Sequence, residues 1–99
     1  MKGRKLPVFY LEGTSFYVDL TAEEFRQVEN EINRISFDLL GVHKNGYVLR
    51  YDTIKLNAWV GPKGCEPPYV KLVFVPFKSK LDPVGLARQQ GFPDDYYTR

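Results

Sequence analysis

The chain has 99 residues with 14 Lys+Arg against 12 Asp+Glu, and 43% of it is apolar, including seven Phe, seven Tyr and one Trp. That length suits one domain, and an ordinary apolar fraction with a net charge of +2 excludes a mainly disordered chain. One cysteine, Cys65, and one histidine, His43, exclude a disulfide framework and any multi-cysteine or multi-histidine metal centre.

In chain order, residues 1–5 form a basic lead-in that resembles the start of a signal peptide. Pro7 and Glu12 interrupt the apolar run such a peptide requires. Leu6–Leu11 and Phe16–Leu20 read as two strands around the small residues of Glu12-Gly13-Thr14-Ser15, a hairpin signal. Thr21-Ala22-Glu23-Glu24 then has capping-box spacing. Phe25, Val28 and Ile32 follow at intervals of three and four, which predicts an amphipathic helix of about ten residues ending near Asn30–Asn33.

Ile35–Val42 returns to apolar residues, and Asn45-Gly46 is the strongest short hairpin signal in the chain. With those two residues at the centre of the turn, Val42 faces Leu49 and Leu40 faces Tyr51. Ile54–Val60 alternates, with Ile54, Leu56, Ala58 and Val60 on one face and Lys55, Asn57 and Trp59 on the other. Gly61–Pro68, rich in Gly and Pro, reads as a loop. Tyr69–Phe77 reads as a central strand whose pairing should fail at Pro76. Asp82-Pro83 places an N-cap before a helix that Gly91 should stop.

The expectation is therefore a single α+β domain over residues 1–99, with 1–5 and 92–99 as flexible tails. Its antiparallel sheet of about five to six strands carries two short helices, in the order ββαβββ(β)α. The expected core is Val8, Phe16, Val18, Phe25, Val28, Ile32, Ile35, Phe37, Leu49, Ile54, Leu56, Leu72 and Phe74.

Charge is uneven. Glu12–Glu31 carries six acids and one base, whereas His43–Asp82 carries seven bases and three acids. Solvated helix and sheet surfaces account for such blocks, although they can also mark separate contact faces.

Few constellations suggest chemistry. Cys65 and His43 are the only nucleophile–base pair of their kind, and Glu66 beside Cys65 disfavours the thiolate. Asp94-Asp95 and Glu23-Glu24 are adjacent pairs suited to a solvated tail and to a helix first turn, not to a catalytic cleft. Gly61-Pro62-Lys63-Gly64 lacks the Ser/Thr and the following helix of a phosphate loop. No enzyme, metal or cofactor is expected. No apolar run approaches the about 20 residues that a membrane-spanning helix requires, so the chain is expected in the cytoplasm with no membrane partner.

Cations interleaved with aromatics remain. Lys55 and Trp59 share a predicted strand face that could extend to Arg50, Tyr69 and Lys71, while Tyr96 and Tyr97 add aromatic area in the tail. Trp and Tyr carry interface hot spots, so the leading expectation is a small non-enzymatic binding or adaptor domain. Its partner would be another protein or a further copy of the chain. The alternative is a single-stranded nucleic-acid module, with bases stacked on Trp59 and Tyr69 and phosphates held by the cations.

Overall fold

In the computed structural model, which describes residues 5–99, alternating apolar residues build an antiparallel meander in the first half of the chain. Strands β1 (Val8–Leu11), β2 (Thr14–Asp19), β3 (Glu24–Gln27) and β4 (Arg34–Ser36) form one sheet in sequence order. Phe9, Leu11, Phe16, Val18, Phe25 and Ile35 line its inner face, as the period-two geometry of strands requires. The first hairpin is present and tighter than expected. Only Glu12 and Gly13 link its strands, at φ 48° and 85°, and two positive φ values in a two-residue loop are the mark of a type I′ turn.

The helix expected after Thr21 is replaced by β3 and β4. Glu23 adopts a φ of 57°, the Asp19 carboxylate accepts from the Ala22 amide at 3.0 Å, and the chain reverses into β3. A ten-residue helix with one apolar stripe is marginal by itself. As strands, the same residues place Phe25 between Val18 and Ile35 and pair Arg26 across the sheet with Asp19 at 2.9 Å. Ile32, read as part of the helix stripe, sits in the β3–β4 turn and is 89% exposed.

The second sheet comprises β5 (Gly41–His43), β6 (Gly46–Asp52), β7 (Asn57–Ala58) and β8 (Val70–Val75). β6 is central, with β8 along one edge and β5 and β7 sharing the other. β8 was expected to be central and is an edge strand. It does end before Pro76. The expected strand Ile54–Val60 shrinks to β7, because residues 53–56 turn around the Asp52 carboxylate, which accepts from the amides of Ile54 and Lys55 at 2.9 Å. Leu56 in that turn takes a φ of 58°.

The second hairpin turns at Lys44 and Asn45, one residue earlier than expected, so Val42 opposes Tyr47 instead of Leu49. That shift carries Val42 past the core, where it is 86% exposed. Gly46 belongs to the strand. It has a φ of 153°, and a Cβ there would overlap the Val75 carbonyl oxygen of β8.

The two inner faces meet in one core, where the Phe16 and Tyr51 rings stand edge to face at 6.3 Å. Helices α1 (Lys78–Leu81) and α2 (Pro83–Gln89) contribute Leu81 and Leu86 to that cluster. Asp82 caps α2 as expected, accepting from the Gly85 amide at 2.9 Å, with Pro83 opening the helix. Gly91, at φ 77°, donates to the Arg88 carbonyl and Phe92 to that of Ala87, which is a Schellman stop. Residues 92–99, expected as a loose tail, carry a 3-10 turn (Tyr96–Thr98) and fold back, with the Asp94 carboxylate accepting from Nε and Nη2 of Arg88.

The architecture is α+β and antiparallel, with two four-stranded sheets where one of five to six strands was expected. Both α-helices follow the last strand. Of the expected core, Val8, Ile32, Ile54, Leu72 and Phe74 are exposed, while Leu11, Leu20, Tyr51, Val75, Leu81 and Ala87 are buried without having been expected there.

Candidate interaction face

The strand register sorts the candidate residues between the two faces of the second sheet. Leu49 and Tyr51 point inward, so Val48 and Arg50 point outward, and their β8 partners Phe74 and Leu72 share that outer face. The amide of Trp59 donates to the Arg50 carbonyl at 2.8 Å, continuing the β6–β7 ladder and placing Trp59 beside Arg50. Arg50 and Trp59 are thus brought together. Gly61 seats the indole, since a Cβ on Gly61 would overlap the ring.

The other candidates do not join them. Lys71 opposes Tyr51 and so belongs to the opposite side of the sheet from Arg50. Tyr69 lies two residues before Lys71, and its carbonyl accepts from Thr53. Lys55 lies in the turn after β6. Tyr96 and Tyr97 sit at the C-terminal 3-10 turn, where Tyr96 stacks on Phe92 at 4.2 Å and the Tyr97 hydroxyl bonds to Gln90.

Charge on the outer face is compensated. Arg50 is paired with Glu66 at 3.1 Å. The amides of Glu66 itself and of Gly64, followed by Arg50 and Lys63, outweigh desolvation and hold the Glu66 carboxyl below the usual range. Around this pair the surface is apolar. Leu72 is 70% exposed and Phe74 51%, with Leu39 and Val60 also exposed nearby. Leu72 borders two depressions, one of about 210 Å³ reaching Trp59 and Leu39, the other of about 370 Å³ reaching Glu66 and Lys63. The Phe74 ring meets His43 of β5 edge to face at 4.6 Å.

Sequence reasoning placed Leu72 and Phe74 in the core and so missed them as surface residues. The available signal was β8 itself, apolar on both faces, which a strand needs only when both faces are covered. Elsewhere, a depression of about 420 Å³ opens between β2 and α2, but its Asp19 and Arg88 already hold ionic partners in Arg26 and Asp94. Cys65 is exposed in the loop before β8. Among the described residues, no helix is long and apolar enough to cross a membrane. No protein-family model matches the chain, and neither a curated protein nor a solved structure gives a match.

Proposed function

We propose that this chain is a small, non-enzymatic binding domain that acts through protein–protein contacts on the outer face of its second sheet. One observation carries the reading. Leu72 and Phe74 project from β8 into solvent beside the half-buried Trp59, with Arg50 already neutralised by Glu66. Contiguous apolar surface next to a hot-spot residue type is the usual mark of an interaction site. The cations that a nucleic-acid platform would need are divided between the two sides of the sheet, which favours a protein partner over a single strand. The same reading puts the domain in the cytoplasm, where the exposed Cys65 thiol stays reduced.

The test compares proteins crosslinked in cells to the wild-type chain, to Leu72→Lys and to Tyr10→Lys, the last altering an exposed residue of the other sheet. Products lost in Leu72→Lys and kept in Tyr10→Lys are expected. Products unaffected by Leu72→Lys would overturn the reading. So would salt-sensitive binding of single-stranded oligonucleotides that Lys55→Ala abolishes with the fold intact.

A further inference from the structure

Because the Arg50 carbonyl faces β7, the backbone polar groups of Tyr47, Leu49 and Tyr51 face β8. Their β8 partners, Val75, Val73 and Lys71, turn their own groups back toward β6. The N–H and C=O groups of Leu72 and Phe74 therefore point away from the sheet, and no described strand pairs with that edge. The edge is closed at both ends. The Val70 amide already donates to the Pro67 carbonyl at 3.0 Å, and Pro76 has no N–H. What remains is a two-residue template of unpaired donors and acceptors with apolar side chains.

We propose that β8 pairs antiparallel with β8 of a second copy of this chain about a two-fold axis at Val73, joining the two second sheets into one. The inference rests on the protein-contact reading above and names the partner.

Self-complementarity of the edge selects the second copy. A two-fold interface must present the same patch on both sides. Centred on Val73, Leu72 opposes Phe74 of the other copy and Phe74 opposes its Leu72, so all four outward residues form hydrogen-bonded pairs. Centring on Leu72 sets Phe74 against the occupied Val70 amide. Centring on Phe74 sets Leu72 against Pro76. Only the Val73 register uses every open group.

Side chains and charge agree with that register. Leu72 and Phe74, the exposed pair, pack across the axis on the shared outer face. β8 has one charge, Lys71, which opposes Val75 and lies four residues along the strand from its own copy, about 13 Å at ordinary strand rise. At that distance salt screens the repulsion. So short an edge buries little surface, and the dimer belongs to the weak class below about 1,200 Å².

The test measures mass against concentration by light scattering and maps the register with cysteines in a Cys65→Ser background. The weight-average mass is expected to climb from 11.5 kDa toward twice that value. Leu72→Pro removes an N–H that β6 does not use and should hold the mass at the monomer value. Leu72→Lys provides the same readout should the proline variant misfold. Val73→Cys puts two thiols on directly opposed residues about 4.5 Å apart and should form an intermolecular disulfide on mild oxidation. Leu72→Cys, although more exposed, lies diagonal to its copy at about 7–8 Å and should not.

A mass of 11.5 kDa at every concentration, with no Val73→Cys bridge, overturns the dimer. A Leu72→Lys-sensitive heterologous crosslink would survive that result, so the two readings fail separately. A dimer that bridges through Leu72→Cys and not through Val73→Cys also overturns the proposal.

Discussion

At the scale of single residues, two buried positions make opposite demands. Gly46 has no room for a side chain, because the backbone of β8 occupies the place a Cβ would take. Gly46→Ala must push β6 and β8 apart or strain its own φ of 153°, and is expected to cost about 1–3 kcal/mol, read from the urea midpoint. Tyr51 presents the reverse case. Its ring is fully buried, yet its hydroxyl finds no hydrogen-bond partner among the described residues. An orphaned buried hydroxyl costs about 1–3 kcal/mol, so Tyr51→Phe should leave stability unchanged or raise it by about 1 kcal/mol. A lower melting temperature for Tyr51→Phe would mean that the hydroxyl has an unseen partner.

At the scale of elements, polar side chains clasp the two sheets together. Asn33, just before β4, donates to the Leu56 carbonyl at 2.7 Å and to the Gln27 side chain at 3.1 Å. Asn57 of β7 donates to the Asn33 side-chain oxygen at 2.6 Å and to the Arg34 carbonyl at 3.0 Å. The clasp bridges the β4 edge to β7 where no strand ladder joins them. Asn33→Ala leaves the Leu56 carbonyl and the Asn57 amide short of a partner and is expected to cost about 1–3 kcal/mol. Amide exchange should quicken first in β4 and β7. Uniform acceleration across both sheets would instead mean that the clasp is part of the global core.

At the scale of the whole molecule, the radius of gyration is 14.2 Å, against about 13 Å for a compact domain of this length. The extents of 44 × 31 × 20 Å describe a flattened body, which leaves a broad sheet face uncovered. Stability should fall at both extremes of pH. Burial pushes the Asp19 carboxyl up, but the Ala22 amide and the Arg26 guanidinium outweigh it, and the net shift is downward from 3.8. A folded pKa below the unfolded one gives stability that is complete above the unfolded value and lost as pH falls through the folded value. Burial raises the Tyr51 phenol above its ordinary 10.0, helped by the charges of Asp52 and Glu12. There the unfolded chain loses its proton first, so stability declines as pH rises past 10. Urea midpoints across pH should flatten on the acid side in Arg26→Met and on the alkaline side in Tyr51→Phe.

The sequence by itself determined whatever depends on neighbours along the chain. Gly13 marked the first hairpin, Asp82-Pro83 and Gly91 bounded the last helix, Pro76 ended β8, and the Gly/Pro run of residues 61–68 stayed a loop. Tertiary structure decided between local patterns of similar strength. Phe25, Val28 and Ile32 fit one helix face, but Phe25 reaches both Val18 and Ile35 only as a strand, and three-strand pairing outweighs a short helix. Asn45-Gly46 named the right hairpin, but the close approach of β8 claimed Gly46 for the strand and moved the turn one residue back. The candidate face was decided the same way. Trp59 and Arg50 were legible as a pair, whereas Lys71 fell on the other side because residues on neighbouring strands share a face only through register, and register is fixed by the partner strand. Leu72 and Phe74 look like core in the sequence, since hydrophobicity records that a side chain prefers to be covered and leaves unstated whether the cover lies within the same chain.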